Sequence, residues 1–256
     1  MTTSLARIVI VGGHGKVALH MARLATATND FSLTSLVRSE DQFADIRSTG
    51  AEPRLLSLED ASVSELAKAF QGAQGVLFAA GSGGKGGAER TRKVDEQGAI
   101  KVFDAIESMP DPKPKLILVS AIDSRDMSKP PPSYYTEEDS RASKEVHDAI
   151  GNYYDAKFAA DRNLHKRTSF PWIILRPGYL TEDKGIGLIK LGRAGFGSIS
   201  REDVAATLLA LFRLPREAGN GLALDLIQNG EEDVEIEKAV RDAVDKGLSD
   251  WHDPEE

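Results

Sequence analysis

Tyr153 and Lys157 are the pair of residues with the most specific chemistry in the chain, because they stand four apart in a predicted helix over 150–166. This spacing places both side chains on one helix face. A phenol with a pKa of about 10 is a poor acid or base near neutral pH, but a nearby ammonium stabilises its phenolate. We therefore predict proton transfer by Tyr153, with Lys157 as its orienting partner. The alternative is a packed aromatic ring beside a surface lysine.

A glycine-rich turn follows the apolar segment Ile8–Val11. Its glycines let the backbone turn tightly and approach a pyrophosphate, and the N–H groups at the start of the next helix attract negative charge. The two basic residues of the turn either add positive potential near the phosphates or are simply solvated. The turn predicts a nucleotide cofactor held by Gly12, Gly13, His14, Gly15, Lys16 and Val17.

Arg38 and Ser39 follow the second predicted strand, Leu33–Val37. In a dinucleotide fold this position meets the adenosine ribose, where a carboxylate binds the 2′-hydroxyl and an arginine pairs with a 2′-phosphate. Arg38 offers charge-assisted donors to a phosphate, and Ser39 adds a hydroxyl. The pair predicts NADP(H), with NADPH as the bound cofactor, rather than NAD(H).

The elements that must hold these residues alternate between strands and helices. Apolar, β-branched runs indicate strands buried on both faces, and amphipathic helices separate them. This alternation predicts an α/β fold with a doubly wound parallel sheet in one domain, residues 1–248. The predicted strands are Ile8–Val11, Leu33–Val37, Arg54–Leu56, Gly75–Ala79, Leu116–Val119, Trp172–Leu175 and Leu222–Ile227. The predicted helices are Val17–Ala27, Asp41–Thr49, Val63–Phe70, Ala88–Ser108, Ile150–Lys166 and Asp203–Leu211.

Two segments interrupt this pattern near the expected substrate side, residues 124–149 and 179–200. The first is either a lid over the active site or a surface excursion tied down by Tyr134 and Tyr135. The glycines of the second segment permit movement when a cofactor binds, so we expect it to form part of the rim. Residues 249–256 lack periodicity and are expected to fray.

Composition limits the class of protein. The chain has 256 residues, no cysteine and a net charge of −8, and its five histidines show no ligand spacing. Disulfides and thiolate chemistry are therefore excluded, no metal is expected, and nucleic acid is disfavoured as a partner. We find neither a secretory signal nor an apolar run of membrane-spanning length. These features predict a cytoplasmic protein with a small-molecule substrate and no membrane association.

The chain resembles the short-chain dehydrogenase/reductase superfamily, in its atypical, NmrA-like branch of NAD(P)-binding proteins. The resemblance extends over nearly the whole chain, and it implies a Rossmann-like fold and oxidoreductase activity. Besides the glycine turn and the Tyr-x-x-x-Lys pair, it rests on Leu36–Arg38, Val76–Gly83, Val94–Ala99, Leu118–Ser120, Arg176–Thr181 and Ile199–Ala205.

The resemblance also implies further cofactor contacts. Residues after the fourth strand line the nicotinamide-ribose side, and those after the sixth shape the pocket near the nicotinamide. After the third strand the family usually has an aspartate that contacts adenine, whereas this chain has Ser57, followed by Leu58. The cofactor residues implied in this way are Ser57, Leu58, Ala79, Ala80, Gly81, Ser120, Lys157, Pro177 and Gly178.

A serine or threonine after the fifth strand completes the catalytic group in this superfamily, and both Ser120 and Ser124 qualify. The predicted catalytic residues are therefore Tyr153, Lys157 and one of these two serines. With them the protein is an NADPH-dependent oxidoreductase that acts on a small carbonyl, quinone or related acceptor. If neither serine reaches the pocket, the alternative is an NADP(H)-binding redox sensor or regulatory protein without turnover.

Overall fold

The computed structural model describes residues 5–83, 87–230 and 232–251. The strands are β1 Ala6–Val11, β2 Phe31–Val37, β3 Glu52–Leu55, β4 Gly75–Phe78, β5 Lys115–Val119, β6 Trp172–Pro177, β7 Tyr179–Thr181, β8 Leu188–Gly192, β9 Ser198–Ser200, β10 Leu222–Ile227 and β11 Val234–Glu235. The helices are α1 Lys16–Thr28, α2 Phe43–Ser48, α3 Val63–Phe70, α4 Gly87–Thr91, α5 Ala99–Glu107, α6 Glu137–His165, α7 Arg201–Arg213 and α8 Ile236–Asp245.

A mostly parallel sheet forms the centre of the described structure, in the order β11-β8-β10-β6-β5-β4-β1-β2-β3. The order reverses between β1 and β4, which is the switch point where a doubly wound sheet binds its ligand. The predicted α/β, doubly wound, Rossmann-like fold is confirmed. The predicted strands all pair in parallel, and the structure adds β8 and β11 at one edge, where β8 runs antiparallel to β10 and β11.

Helices cover both faces of the sheet, and β1 shows why its sequence is continuously apolar. Ile8 and Ile10 pack into a core with residues of α1 and α7, whereas Val9 and Val11 pack into a second core with residues of α3 and α5. Successive strand side chains point to opposite faces, so a strand covered on both sides has no polar position. Ala18 of α1 is fully buried against the first core, as its small side chain predicts.

The α6 helix begins thirteen residues earlier than predicted, at Glu137 rather than Ile150. Thr136 caps it, in a reciprocal pair of hydrogen bonds with Asp139, and a non-helical Ile150 bends it where the predicted helix begins. The helix therefore includes residues 137–149 of the segment 124–149 that interrupts the predicted alternation. The cause is the capping box, which stabilises a helix whose sequence is too polar to show a strong apolar stripe.

The segment after β6 is also more regular than expected. Residues 179–200 contain the strands β7, β8 and β9, and β7 pairs with β9 in a separate parallel ribbon.

The predicted fraying of residues 249–256 is wrong for the part that the structure describes, 249–251. The Asp250 N–H donates to the Ala223 carbonyl at 2.7 Å, and the Asp250 carbonyl accepts from Arg176 at 2.7 Å. The Trp251 ring stacks on His165, with centroids 4.0 Å apart. Tertiary partners therefore hold a segment that has no periodicity of its own. Residues 252–256 of the predicted tail lie outside the described residues.

Candidate active site

The glycine turn between β1 and α1 is packed so closely that side chains do not fit at two of its positions. Gly12 has a φ of +82°, and a Cβ there would lie 2.5 Å from the Ala80 Cα. A Cβ on Gly13 would lie 2.4 Å from the Ser35 Cβ. Gly15 caps α1 without a side chain, and the first turn of α1 has no acidic residue. The N–H groups and the positive dipole end of α1 are thus open to an anion.

A cleft of about 260 Å³ lies in front of this turn, at the carboxyl ends of β1 to β4. It is the position at which open α/β sheets bind their ligands. The predicted cofactor residues that line it are Gly12, His14, Gly15, Arg38, Ser57, Leu58, Ala79, Ala80 and Gly81. The remaining predicted cofactor residues lie outside this lining, and they are Gly13, Lys16, Val17, Ser39, Ser120, Lys157, Pro177 and Gly178.

His14 and Lys16 both face carboxylates. His14 Nε2 lies 2.7 Å from Asp45 Oδ2, and the exposed Lys16 ammonium donates to Glu182 at 2.6 Å. These partners oppose the positive potential that the two residues would bring to a phosphate. Val17 packs into the core below the turn.

Arg38 stands at the outer end of the cleft and Ser39 is exposed beside it. Among the described residues, Arg38 makes no hydrogen bond or ion pair, so its guanidinium is available to a ligand. Leu58 lies on the opposite wall and meets the helix that carries Gly98, where a Cβ would lie 2.9 Å from Leu58 Cδ2. The cleft is therefore apolar on one wall and cationic at its end.

Tyr153 and Lys157 lie on α6 just after the bend at Ile150. Lys157 Nζ is 5.6 Å from the centroid of the Tyr153 ring and donates to the Val119 carbonyl at 3.3 Å. A Cβ on Gly81 would lie 3.9 Å from the same nitrogen. The tertiary fold thus brings the Tyr153–Lys157 pair to the end of β4, where the cofactor cleft ends.

Burial raises the pKa of Tyr153, because burial disfavours the phenolate. The Lys157 ammonium lowers it in part, and the Asp95 and Asp161 carboxylates raise it further. The expectation that Lys157 stabilises the phenolate is therefore outweighed in this structure. A protonated Tyr153 is the form that can donate a proton to a substrate oxygen.

Asp95 is a part of this site that sequence reasoning missed. The predicted helix Ala88–Ser108 is interrupted by a π-helical stretch over Arg92–Gly98, which contains Asp95. The Asp95 side chain is fully buried, with Oδ1 3.2 Å from Lys157 Nζ and Oδ2 accepting from the Ser82 N–H at 3.0 Å. Asp95 lies within the Val94–Ala99 stretch on which the family resemblance rests, but that stretch does not reveal its partner.

The two candidate serines lie in different surroundings. Ser120 follows Val119, whose carbonyl accepts from Lys157, and it lies beside Asp161. Both hydroxyls are buried and have no hydrogen-bond partner among the described residues. Of the two, Ser120 is the one next to the Tyr153–Lys157 pair.

Asp123, between these serines, anchors the segment that the sequence left as either a lid or a surface excursion. Its carboxylate accepts from Arg125 at 2.6 Å, Ser143 at 2.6 Å and Tyr135 at 3.1 Å, and it lies 3.1 Å from His147 Nε2. Burial would raise its pKa, but the hydrogen bonds from His147 and Ser143 and the charge of Arg125 outweigh it and lower the pKa. In this structure, residues 124–149 are tied to the end of β5.

Pro177 is the last residue of β6, and Gly178 follows it. A Cβ on Gly178 would lie 2.2 Å from the Gly197 carbonyl oxygen, and the Tyr179 N–H donates to that same oxygen at 2.9 Å. Gly178 is therefore required for the approach of the segment before β9.

No helix in the described ranges of the chain is both long and apolar enough to cross a membrane. Within the same ranges we find no group of three or more His, Cys, Asp or Glu side chains that could hold a metal ion.

Comparison with protein families gives one family match. The model of a family described as NAD(P)H-binding matches residues 12–215, which include the glycine turn, the cleft and the Tyr153–Lys157 pair.

Similar proteins span nearly the whole chain. A UPF0659 protein of Schizosaccharomyces pombe is 42% identical over 95% of this chain and 97% of its own length. A Bacillus subtilis protein, named as an uncharacterized sugar epimerase, is 30% identical over 92% of this chain and 99% of its own. Among solved structures, a candidate NAD-dependent epimerase/dehydratase of Bacillus halodurans superposes with a TM-score of 0.75 and 27% identity, covering 93% of this chain and 99% of that one.

Proposed function

The chain belongs to this NAD(P)H-binding family, as an atypical short-chain dehydrogenase/reductase, and on that premise we propose that it is an NADPH-dependent oxidoreductase. The proposed substrate is a small carbonyl, quinone or related acceptor. The observation that supports it best is the position of Lys157 Nζ beside Gly81 and Asp95, which joins the Tyr153–Lys157 pair to the end of the cofactor cleft.

The residues of the cleft fit a dinucleotide. The open N-terminus of α1 and the backbone of Gly12 suit a pyrophosphate, while Leu58 provides an apolar surface for adenine. The unpaired Arg38 suits a 2′-phosphate, which supports NADPH over NADH. Bound there, the nicotinamide supplies the hydride.

The roles of the protein groups follow from their geometry. Tyr153, held protonated by burial, donates the proton to the substrate oxygen as the carbonyl is reduced. Lys157 fixes the nicotinamide ribose and the position of Tyr153, while Asp95 holds Lys157 in place. Ser120 orients the substrate oxygen. We propose Asp95 as a positioning residue, since it acts through Lys157.

The epimerase names of two similar proteins raise the question of a sugar-nucleotide substrate. The region after β6 that would enclose the sugar contains only the short strands β7, β8 and β9 before α7. We therefore favour a smaller acceptor. A panel that includes UDP-hexoses tests this directly, because epimerisation would change the sugar with no net oxidation of NADPH.

The deciding experiment is steady-state NADPH oxidation by the wild type, Tyr153→Phe and Tyr154→Phe with a panel of aldehydes, ketones and quinones. Tyr154 is a buried neighbouring tyrosine whose ring lies 5.5 Å from that of Tyr153, so its variant is a matched control. We expect Tyr153→Phe to lose about 100-fold or more in turnover, the range for a general acid, with the NADPH dissociation constant unchanged. If only Tyr154→Phe lost turnover, Tyr154 and not Tyr153 would be the proton donor, and the proposed role of Tyr153 would be wrong.

The second candidate function is a non-catalytic NADP(H) sensor, and it is favoured by the fact that neither Ser120 nor Ser124 lines the cleft. In that case NADPH binds tightly, no acceptor is turned over, and Tyr153→Phe changes nothing. Limited proteolysis within 124–149 and 179–200, with and without NADPH, would then report the bound state.

A further inference from the structure

Arg90 is a basic residue that lines the cleft, and none of the roles proposed above involves it. It lies on α4 and lines the cofactor cleft together with Val94, one helical turn later. Its Nε is buried, and its side chain makes no hydrogen bond or ion pair with any residue in the described ranges. A buried guanidinium nitrogen without a partner is costly, and a ligand bound by the rest of this side chain, which lines the cleft, would offset that cost.

A second cavity joins Arg90 to Arg38. It has a volume of about 340 Å³ and shares Arg38, Arg90 and Glu59 with the main cleft. Glu59 is already paired with Lys93 at 3.2 Å. The two arginines therefore border the outer end of the cleft from β2 and α4, and neither has a partner in the described chain.

The position of Arg90 is fixed by its neighbour. The Thr91 and Ser82 hydroxyls are hydrogen bonded at 3.1 Å, which ties α4 to the loop after β4. Arg92, two residues after Arg90, is 69% exposed and pairs with Glu96 at 3.7 Å. The two arginines thus have different surroundings: one faces the cleft, and the other faces solvent.

We propose that Arg90 is a second specificity residue for the adenosine 2′-phosphate, and that it binds this phosphate together with Arg38. A dianionic phosphate between two guanidinium groups gains charge-assisted hydrogen bonds from both. The pyrophosphate would bind at the other end of the cleft, against Gly12 and the start of α1. This inference deepens the proposed NADPH preference and rests on it.

The test is calorimetric titration of wild type, Arg90→Ala, Arg38→Ala and Arg92→Ala with NADPH, NADH and 2′-AMP. We expect Arg90→Ala to weaken NADPH and 2′-AMP by about tenfold or more, which is typical of one lost charge-assisted bond, and NADH by less than about threefold. Arg92→Ala is the matched control and leaves all three affinities unchanged. Arg90→Lys keeps the positive charge but loses the planar set of guanidinium donors, so we expect its affinity for NADPH to lie between those of Arg90→Ala and the wild type.

Each other result has a separate meaning. Equal weakening of NADPH and NADH by Arg90→Ala would place this residue on the pyrophosphate or adenine and overturn the proposal. An unchanged NADPH affinity in Arg90→Ala, with the preference lost in Arg38→Ala, would also overturn it while leaving the NADPH preference intact. A wild type that binds NADH as well as NADPH would overturn both. Circular dichroism melts verify that Arg90→Ala is folded, since no described hydrogen bond is removed.

Discussion

At the scale of single residues, Gly12 combines the two reasons for which a glycine is required. Its positive φ disfavours any other residue, and the Ala80 backbone fills the space of a Cβ at 2.5 Å. Gly72 has a similar φ of +74°, but no atom lies within 4 Å of its ideal Cβ. A comparison of substitutions at Gly12 and Gly72 therefore distinguishes the cost of backbone strain from the cost of a steric clash.

We predict that Gly12→Ala loses nucleotide binding and more stability than Gly72→Ala. The Gly72 variant pays only the left-handed backbone cost, about 1–2 kcal/mol. The Gly12 variant has this cost as well, and it must also move the loop after β4 away from the turn. Urea unfolding and NADPH titration of both variants measure the two effects. Equal stability losses would show that the turn relaxes around the added methyl group.

Lys157 and Asp95 allow a prediction about pH. Burial would lower the pKa of Lys157, but Tyr153 and Asp95 outweigh burial and raise it. A raised folded-state pKa contributes stability that is present below the unfolded value of about 10.4 and is lost as pH rises through the folded value. Asp95→Asn keeps an acceptor for Ser82 and removes the charge. We expect this variant to be less stable than the wild type at neutral pH.

The difference in melting temperature between Asp95→Asn and the wild type should shrink only as pH rises through the raised folded-state pKa of Lys157. Thermal melts from pH 7 to the highest pH at which both proteins still fold measure it. Lys93→Gln is the control, because Lys93 forms an ion pair with Glu59 that is half exposed. A constant difference across this range would mean that Asp95 acts on packing and not on the lysine charge.

At the scale of elements, two helices begin with the same capping box, and only one box is tied to the rest of the fold. Ser62 and Glu65 form it at α3, and Thr136 and Asp139 form it at α6. Asp139 also accepts from the Phe196 N–H at 2.7 Å, which joins the start of α6 to the segment before β9.

We predict that Asp139→Ala lowers the urea midpoint more than Glu65→Ala does. Both variants lose a cap, but only the first leaves the Phe196 N–H without its acceptor. Thr136→Ala and Ser62→Ala, which remove the cap alone, should differ little from each other. Equal midpoints for the two acidic variants would mean that the Phe196 contact adds no stability.

At the scale of the whole molecule, the C-terminal segment contributes Asp250 to a buried cluster of charged side chains. Arg176 of β6 pairs with Asp161 of α6 at 2.9 Å and with Asp250 at 3.7 Å. Asp225 of β10 is fully buried and lies beside Asp250. Burial raises the pKa of Asp225 well above its ordinary value, and the Asp250 carboxylate raises it further.

This cluster predicts a pH dependence of stability. The folded-state pKa of Asp225 lies above its unfolded value of about 3.9, so the stability from this group is full below that value and is lost as pH rises through the folded pKa. Asp225→Asn mimics the protonated form. We expect it to be more stable than the wild type at neutral pH and equal to it in acid, as measured by melts from pH 4 to pH 8.

The exposed Asp242 provides the control of opposite sign. Hydrogen bonding from Lys238 lowers the pKa of Asp242, so its contribution to stability is present above the unfolded value and is lost as pH falls. Asp242→Asn should therefore be no more stable than the wild type at neutral pH. A neutral-pH loss in Asp225→Asn as well would show that the folded protein requires this carboxylate to be charged.

The fold class, the glycine turn and the i,i+4 pair could be predicted from the sequence, because each depends on neighbours within a few residues. Strand periodicity, a tight turn and one helix face are local properties. The proposed preference for NADPH also rests on a local feature, the position of Arg38 at the end of its own strand.

The partners of these residues depend on tertiary packing. Asp95 reaches Lys157 through the packing of a π-helical stretch against α6, and Arg90 shares a cavity with Arg38, although the two elements are some fifty residues apart in the chain. The early start of α6 has a local cause, the Thr136–Asp139 capping box, and a distant one, the contact of Asp139 with Phe196. The packed 249–251 segment depends on distant partners such as Ala223, and no local pattern records such contacts.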